Sequence, residues 1–437
     1  MDILDSIFFV VYALILYVST KNKQQHKDLY PIAFGVKVVG ALAGCYLAYF
    51  IIPDSSDSYT LYFPEGIRLY HLILNDIGNI KYTFTSTDNI NLGLFNPDKE
   101  ELLSNSANFM IVRIVAVLSF ICLGKYFTLG LFFSYFALSG LWKMFLFFSN
   151  VIPSQANLFF GCIFLVPNIV LWSSGVLKDP IVIGSLGWVT YLGYEIVIMK
   201  RCIFYNLTKF IFFSYLIFAI KPHIILTFLP CYAFFLVSKK KEGINYRPIY
   251  NLFAFLSVVA VSLLVLTYIG EGLEKFAFST LLESLQEQQG YMMATDGGSN
   301  FSLGVELDGT ISSLIKIAPL ALVATFFRPF VWESHSIIML FTAMESSLLL
   351  LFCTYVFIKV GIRFFFHTVF NNPIVFFCLS FSMLFGLFIG ATTLNFGTLV
   401  RYKMPCIPFF INAFIIILRS NQKNIVKPKN KNLKCVA

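Results

Sequence analysis

Apolar stretches long enough to carry a helix of about 20 residues through a hydrocarbon core about 30 Å thick recur from one end of this sequence to the other. They cover about residues 7–19, 31–52, 108–124, 127–149, 157–173, 181–199, 204–220, 223–237, 248–268, 311–327, 336–358, 373–391 and 404–418. In lipid every backbone N–H and C=O needs a partner within the chain, so such runs form helices. Composition agrees. Of 437 residues, 58% are hydrophobic and only 13% are charged, too few to coat the two or three soluble domains that this length would otherwise make. The expected fold is all-α, one polytopic membrane domain over 1–437 with roughly ten to thirteen crossings.

Charge sets the expected orientation. The first run is preceded by Asp2 and Asp5 and followed by Lys21, Lys23 and Lys27, the reverse of a secretory signal, so it reads as a retained helix with its N-terminus outside. Lys200 with Arg201, the run Lys239 to Lys241, and the tail with Arg419, Lys423, Lys427, Lys429, Lys431 and Lys434 mark the cytoplasmic side, which puts the C-terminus inside. The net charge of +9 is topogenic on this reading, with membrane lipid as its partner and no nucleic acid. Two long polar loops, 53–107 and 269–310, then fall outside, and Tyr59 to Ile80 of the first suits an amphipathic surface helix. The count fails twice. One segment between 53 and 173 and one between 311 and 358 must be re-entrant, interfacial or miscounted, and broken helices at membrane depth point toward a site. Lys37 and Arg113, the main charges inside runs, lie near enough to a run's end to snorkel.

Positive charge on the outer side is the useful anomaly: Arg68, Lys178, Lys221, His223, Arg328, Arg401 and Lys403. Such a set suits an anionic phosphate or diphosphate headgroup, although each residue can also pair with a nearby acid or an ordinary phospholipid. Four short segments concentrate the polar residues: Asp54 to Tyr59, Pro167 to Asp179, Arg328 to Glu333, and Asn395 to Lys403. The nine cysteines are scattered, without ligand spacing, and read as packing residues. P-loop, GxGxxG and HExxH patterns are absent, so no cofactor is expected, while a divalent metal is not readable.

The Trp-Ser-Ser-Gly-x-x-Lys-Asp stretch at 172–179, Arg-Pro-Phe-x-Trp-Glu at 328–333 and Asn-Phe-Gly-Thr-Leu-x-Arg-Tyr-Lys at 395–403, set in all-helical hydropathy, resemble the multi-pass bacterial O-antigen and exopolysaccharide polymerases and related lipid-linked glycosyltransferases. That resemblance implies a bacterial inner-membrane enzyme that transfers or polymerises a sugar from a polyprenyl-(di)phosphate carrier on the outer side, alongside other polysaccharide-assembly proteins. Breaking a glycosyl phosphate bond develops negative charge on the leaving group, for which Arg401, Lys403, Lys178 and Arg328, then Lys221 and Arg68, are the candidate binders. Asp57 resembles the first-loop acid of the lipid-linked transferases, and Asp57, Glu333 and Asp179 are the candidate bases for an acceptor hydroxyl. The competing expectation is a transporter or flippase of a lipid-linked oligosaccharide or another anionic substrate.

Overall fold

The computed structural model of the chain describes residues 2–22, 24–53, 56–240, 290, 299–304 and 311–426. The expected run at 248–268, most of loop 269–310, Asp54 and the last tail lysines lie outside them. Among the described residues, regular structure is helical apart from one isolated bridge between Asn300 and Asn395. Eight described helices are long and apolar enough to cross a membrane, or up to ten if two bent pairs each count as one span. The chain is an all-α polytopic membrane protein. It divides into two compact units, Met1–Leu226 and Thr227–Ala437.

In the first unit, helix direction can be read from side-chain contacts. Helix α1 (Ile3–Lys21) and α2 (Tyr30–Tyr46, extended by a π-turn to Ile51) are antiparallel, with Thr20 meeting Tyr30 at 2.7 Å and Tyr17 meeting Phe34. Residues 63–75, 100–104 and 106–122 form α3, α4 and α5, and Tyr126–Val151 forms α6. The Asp5 carboxylate of α1 accepts hydrogen bonds from the Phe127 and Thr128 N–H groups, each at 3.0 Å, and from the Thr128 hydroxyl at 2.8 Å. Lys125 pairs with Asp2 at 2.7 Å. A buried acid thus caps the positive N-terminus of α6 and fixes α1 and α6 at the same face.

That clamp corrects the expected crossing at 108–124. The chain leaves α2 and enters α6 at one face, so residues 52–125 make no net crossing. Helices α3 and α5 run parallel, Tyr62 bonding Asn108 and Tyr70 packing on Phe120, which would strand the end of α5 on the wrong side if it crossed. Instead α4 and α5 meet at a 109° bend. The surface helix expected over Tyr59 to Ile80 is helical from Ser58 and stops at Asn75, where Asp76 turns the chain into a 3-10 segment, Ile77–Thr83.

The run at 157–173 is broken. It forms α7 (Ala156–Phe164) and α8 (Pro167–Trp172), since Pro167 has no N–H to continue the ladder. These run antiparallel to α6, Phe159 on Phe148 and Phe164 on Trp142. Helix α9 (Lys178–Tyr194) lies parallel to α6, with Trp188 donating to Ser139 and Tyr194 on Phe147. Two parallel neighbours need a return crossing between them, and the broken α7–α8 supplies it. The α6–α9 contact is backbone on backbone: a Cβ at Gly140 would stand 1.8 Å from the Gly184 oxygen, and one at Gly187 would stand 2.0 Å from the Gly140 oxygen. Helix α10 (Ile203–Ile220) returns antiparallel to α9, and α11 (Pro222–Lys240) holds the boundary between the units.

In the second unit α12 (Ile311–Phe327) is antiparallel to α15 (Pro373–Thr392), with the Thr325 hydroxyl donating to the Gly386 oxygen at 2.6 Å. Helix α15 is antiparallel to α17 (Ile407–Val426), with Phe377 and Phe381 on Phe409 and Ser382 on the Cys406 oxygen. Helix α13 (Ile337–Val360) is parallel to α17, with Phe352 near Phe414 and Asn421 donating to the Lys359 oxygen. The consecutive helices α12 and α13 therefore point the same way. The chain doubles back over 328–336, and α12 is the re-entrant segment expected between 311 and 358. The short α14 (Ile362–Asn371) joins α13 to α15, and α16 (Phe396–Tyr402) precedes α17 across a 64° bend.

Single cysteines at Ile3 and Leu123, in a chain with Cys202 and Cys435 replaced by Ser, should react with an impermeant maleimide from one side of the membrane and one at Lys21 from the other. Ser302→Cys and Trp332→Cys should likewise share a side, and opposite labelling within either pair would refute the re-entrant assignments. Gly140→Leu should lower the thermal midpoint in detergent, because overpacking a backbone contact costs about 3 kcal/mol.

Candidate functional site

Lys37 lies in the eighth position of α2 and is 3% exposed. It does not snorkel. Its ammonium donates to the Ser173 oxygen at 2.5 Å and to the Ser173 and Ser174 hydroxyls, both at 2.7 Å. Those hydroxyls donate onward to the Ile169 and Val170 carbonyls. The last turn of a helix leaves carbonyls without intrahelical partners, and a cation there meets the negative end of the helix dipole. Lys37 thus closes the break after α8 through neutral acceptors. The loop it holds, Ser173 to Leu177, is buried throughout, which is how irregular backbone is tolerated at membrane depth. Gly175 takes a φ of +82° against Gly44 and Cys45, where a side chain would be strained.

Asp179, in the first turn of α9, accepts from Lys221 at 2.6 Å, and their side chains are 1% and 10% exposed. Lys221 caps the C-terminus of α10, so each charge also faces the helix end that favours it. Lys178 is half-buried beside this pair in sequence, and Asp57 is exposed at the start of the π-turn Ser58–Tyr62. Ser58 meets the Tyr126 hydroxyl at 2.7 Å, which places Asp57 at the face where α1, α6 and α9 begin. Arg68 is 44% exposed and lies 3.6 Å from Glu65, a buried acid that also accepts from the Asn96 N–H.

The second unit gathers its two candidate segments. Arg328 follows the last residue of α12 and pairs with Glu333 through Nε, at 3.0 and 3.2 Å, and through Nη2. Its guanidinium lies 4.4 Å from the ring centroid of Phe301 and 5.1 Å from that of Phe396. Lys403, 2% exposed in the bend between α16 and α17, donates to the Arg328 oxygen at 3.3 Å and the Ser346 hydroxyl at 3.1 Å. The reach from 328–333 to 395–403 is thus direct. Burial raises the Glu333 carboxyl, but hydrogen bonds from Arg328 and the Phe330 N–H, with the Arg328 charge, outweigh it and hold the group below its usual range. The pair is therefore intact above the ordinary carboxylate range and weakens as pH falls through the lowered value. Arg401 is half-buried on α16. Below the end of α12 lies an apolar pocket of about 560 Å³ lined by Phe326, Phe327, Phe357, Phe366 and Phe414.

Sequence reasoning named both ends of the Lys221–Asp179 and Arg328–Glu333 pairs but assigned the cations to substrate and the acids to proton transfer. It read Lys37 as snorkelling, used Asp5 only to orient the first helix, took Ser173 and Ser174 only as part of a motif, and did not name Ser346. The available signal for Lys37 was a lone lysine amid the apolar run 31–52. Among the described residues no group of three or more His, Cys, Asp or Glu is placed to hold a metal ion. Comparison of the chain with family models, curated proteins and solved structures finds no match.

Breaking the first pair should be costly. Lys221→Ala or Asp179→Ala should destabilise by about 3–5 kcal/mol because the partner is left as a buried lone charge, whereas Lys221→Met with Asp179→Leu should recover most of it. Thermal unfolding of the three variants in detergent checks this, and equal loss in the double variant would rule out the ionic explanation.

Proposed function

We propose that the chain is a membrane glycosyltransferase or polysaccharide polymerase that draws a sugar or oligosaccharide from a polyprenyl-(di)phosphate carrier at the outer face of a bacterial inner membrane. The observation that carries this reading is the adjacency in the second unit of a basic, acid-bearing site and an apolar pocket: Phe326 and Phe327 line the pocket and Arg328 follows them. An amphiphile with an anionic head and a long apolar tail matches both halves. The charge pattern supports the orientation. In the first unit Lys21, Lys27, Lys200 and Arg201 lie at the face opposite Asp2, Asp5, Asp57 and Asp179, where Lys125 and Lys221 are paired with acids, and on this reading the former face is the cytoplasmic one. In the second unit Lys359 and Arg363 share an end with the C-terminal half of α17, which supports a cytoplasmic tail on the same reading.

The chemistry follows from the pairing. Arg328 uses Nε and Nη2 on Glu333, and its Nη1 donates to no acceptor among the described residues. The carrier phosphate enters beside Nη1 and competes with Glu333 for the guanidinium, with Arg401 contributing a second positive charge. As the phosphate takes Arg328, Glu333 is released to accept the proton of the acceptor hydroxyl. The hydroxyl oxygen bonds the anomeric carbon while the bond from that carbon to the phosphate oxygen breaks, and the leaving phosphate is stabilised by the two arginines. Lys403 positions this site through the Arg328 oxygen and Ser346.

A transporter or flippase of the same class of substrate is the second reading. The buried Lys37 and the broken α7–α8 favour it, because charge and interrupted helices at membrane depth also build translocation sites.

Protein reconstituted in vesicles with a polyprenyl-diphosphate oligosaccharide separates the two. The transferase reading expects elongated product, with turnover falling by about 10²-fold or more in Arg401→Ala and Glu333→Gln while the fold is retained. Donor crossing the bilayer without elongation would replace it with the flippase.

A further inference from the structure

We propose that the first unit carries a separate site for one anionic phospholipid, with the lipid phosphate on Arg113 and an acyl chain in a groove between α5, α6 and α10. This goes beyond the function proposed above and uses none of its residues. The groove holds about 580 Å³, and its apolar wall includes Ile114, Val117, Phe132, Phe136 and Phe212. On α5, Met110, Arg113, Ile114 and Val117 have the spacing of one helix face, so the guanidinium and the apolar wall are presented together. On α6 the lining runs from Phe132 to Ser139, about 10 Å along a helix, enough for much of one half of an acyl chain.

Charge complementarity identifies the head. Among the described residues, Arg113 is the one charged side chain lining the groove. Its Nε donates to the Tyr82 oxygen at 3.2 Å and its Nη2 to the Thr85 oxygen, while its Cζ lies 4.9 Å from the Phe109 ring centroid. These contacts anchor the guanidinium and leave Nη1 with no acceptor among the described residues. Neutral carbonyls do not offset its charge, and at a membrane interface a phosphate does. Tyr82 and the adjacent Lys81, whose ammonium lies 5.2 Å from the Tyr82 ring centroid, place an aromatic and a second cation where headgroups sit. Phe84, which also lines the groove, is 86% exposed in the protein alone and requires an apolar neighbour of the kind a lipid chain provides.

The test is lipid retention by the full chain in detergent, measured by native mass spectrometry after equilibration with phosphatidylglycerol, phosphatidylcholine or a polyprenyl phosphate. Wild type should retain one phosphatidylglycerol in preference to phosphatidylcholine by about fivefold, the contribution of a single basic residue at an anionic headgroup. Arg113→Gln should abolish the preference. Val117→Trp, which fills the groove and leaves the guanidinium in place, should reduce phosphatidylglycerol retention by a similar factor, and it decides the matter if Arg113→Gln does not fold. Equal retention of the two phospholipids by wild type, or an unchanged preference in both variants, would overturn the site. Preferential retention of the polyprenyl phosphate would also overturn it, by assigning the groove to a lipid-linked substrate.

Discussion

A bilayer supplies no water to a broken helix, and the fold depends on how this chain meets that constraint at its interruptions. The contact of Lys37 with Ser173 and Ser174 is the clearest case. Three ammonium donors and two hydroxyls together satisfy the carbonyls that α8 leaves open, and the buried loop to α9 becomes possible. Without that closure the return crossing between the parallel helices α6 and α9 has no stable route. Lys403 has a similar role in the second unit, where it binds the Arg328 oxygen at the end of the re-entrant helix α12. Asp5 is the acidic counterpart at the start of α6.

These closures account for Lys37, Asp5, Ser173, Ser174 and Lys403 inside an otherwise apolar chain and limit which charged groups are available for chemistry. Lys221 and Asp179 neutralise each other at two helix ends, and burying them unpaired would be far more costly than burying the pair. Arg328 and Glu333 are paired as well, but less deeply, with side chains 17% and 18% exposed. An anion arriving from outside can compete for that pair, whereas the Lys221–Asp179 pair is closed to it. The difference in burial is why the second unit, and the pocket beneath α12, hold the proposed reaction.

Much of the architecture was legible in the sequence because hydropathy is a local property. Runs such as 127–149, 204–220 and 373–391 correspond closely to α6, α10 and α15, and the two failures of the topological count fell in the stretches where helices are interrupted. What hydropathy could not distinguish was a helix that crosses from one that does not. The run at 108–124 is as apolar as a crossing helix, yet Asp2 and Asp5, more than a hundred residues away, hold its far end at the face where it started. Lys37 was misread for the same reason. Sequence distance from a run's end suggests snorkelling, and only the position of Ser173 and Ser174 shows that the ammonium turns inward.

By itself, then, the sequence determined that this is a helical membrane protein, where most helices lie, and which short segments carry charge, since each follows from apolar length and residue type. Tertiary structure alone decided the helix directions, the re-entrant α12, the broken crossing of α7–α8 and the partners of Asp5, Lys37, Asp179 and Arg328. Those depend on contacts between residues far apart in the chain, and a bilayer forces such contacts to close wherever a helix stops short.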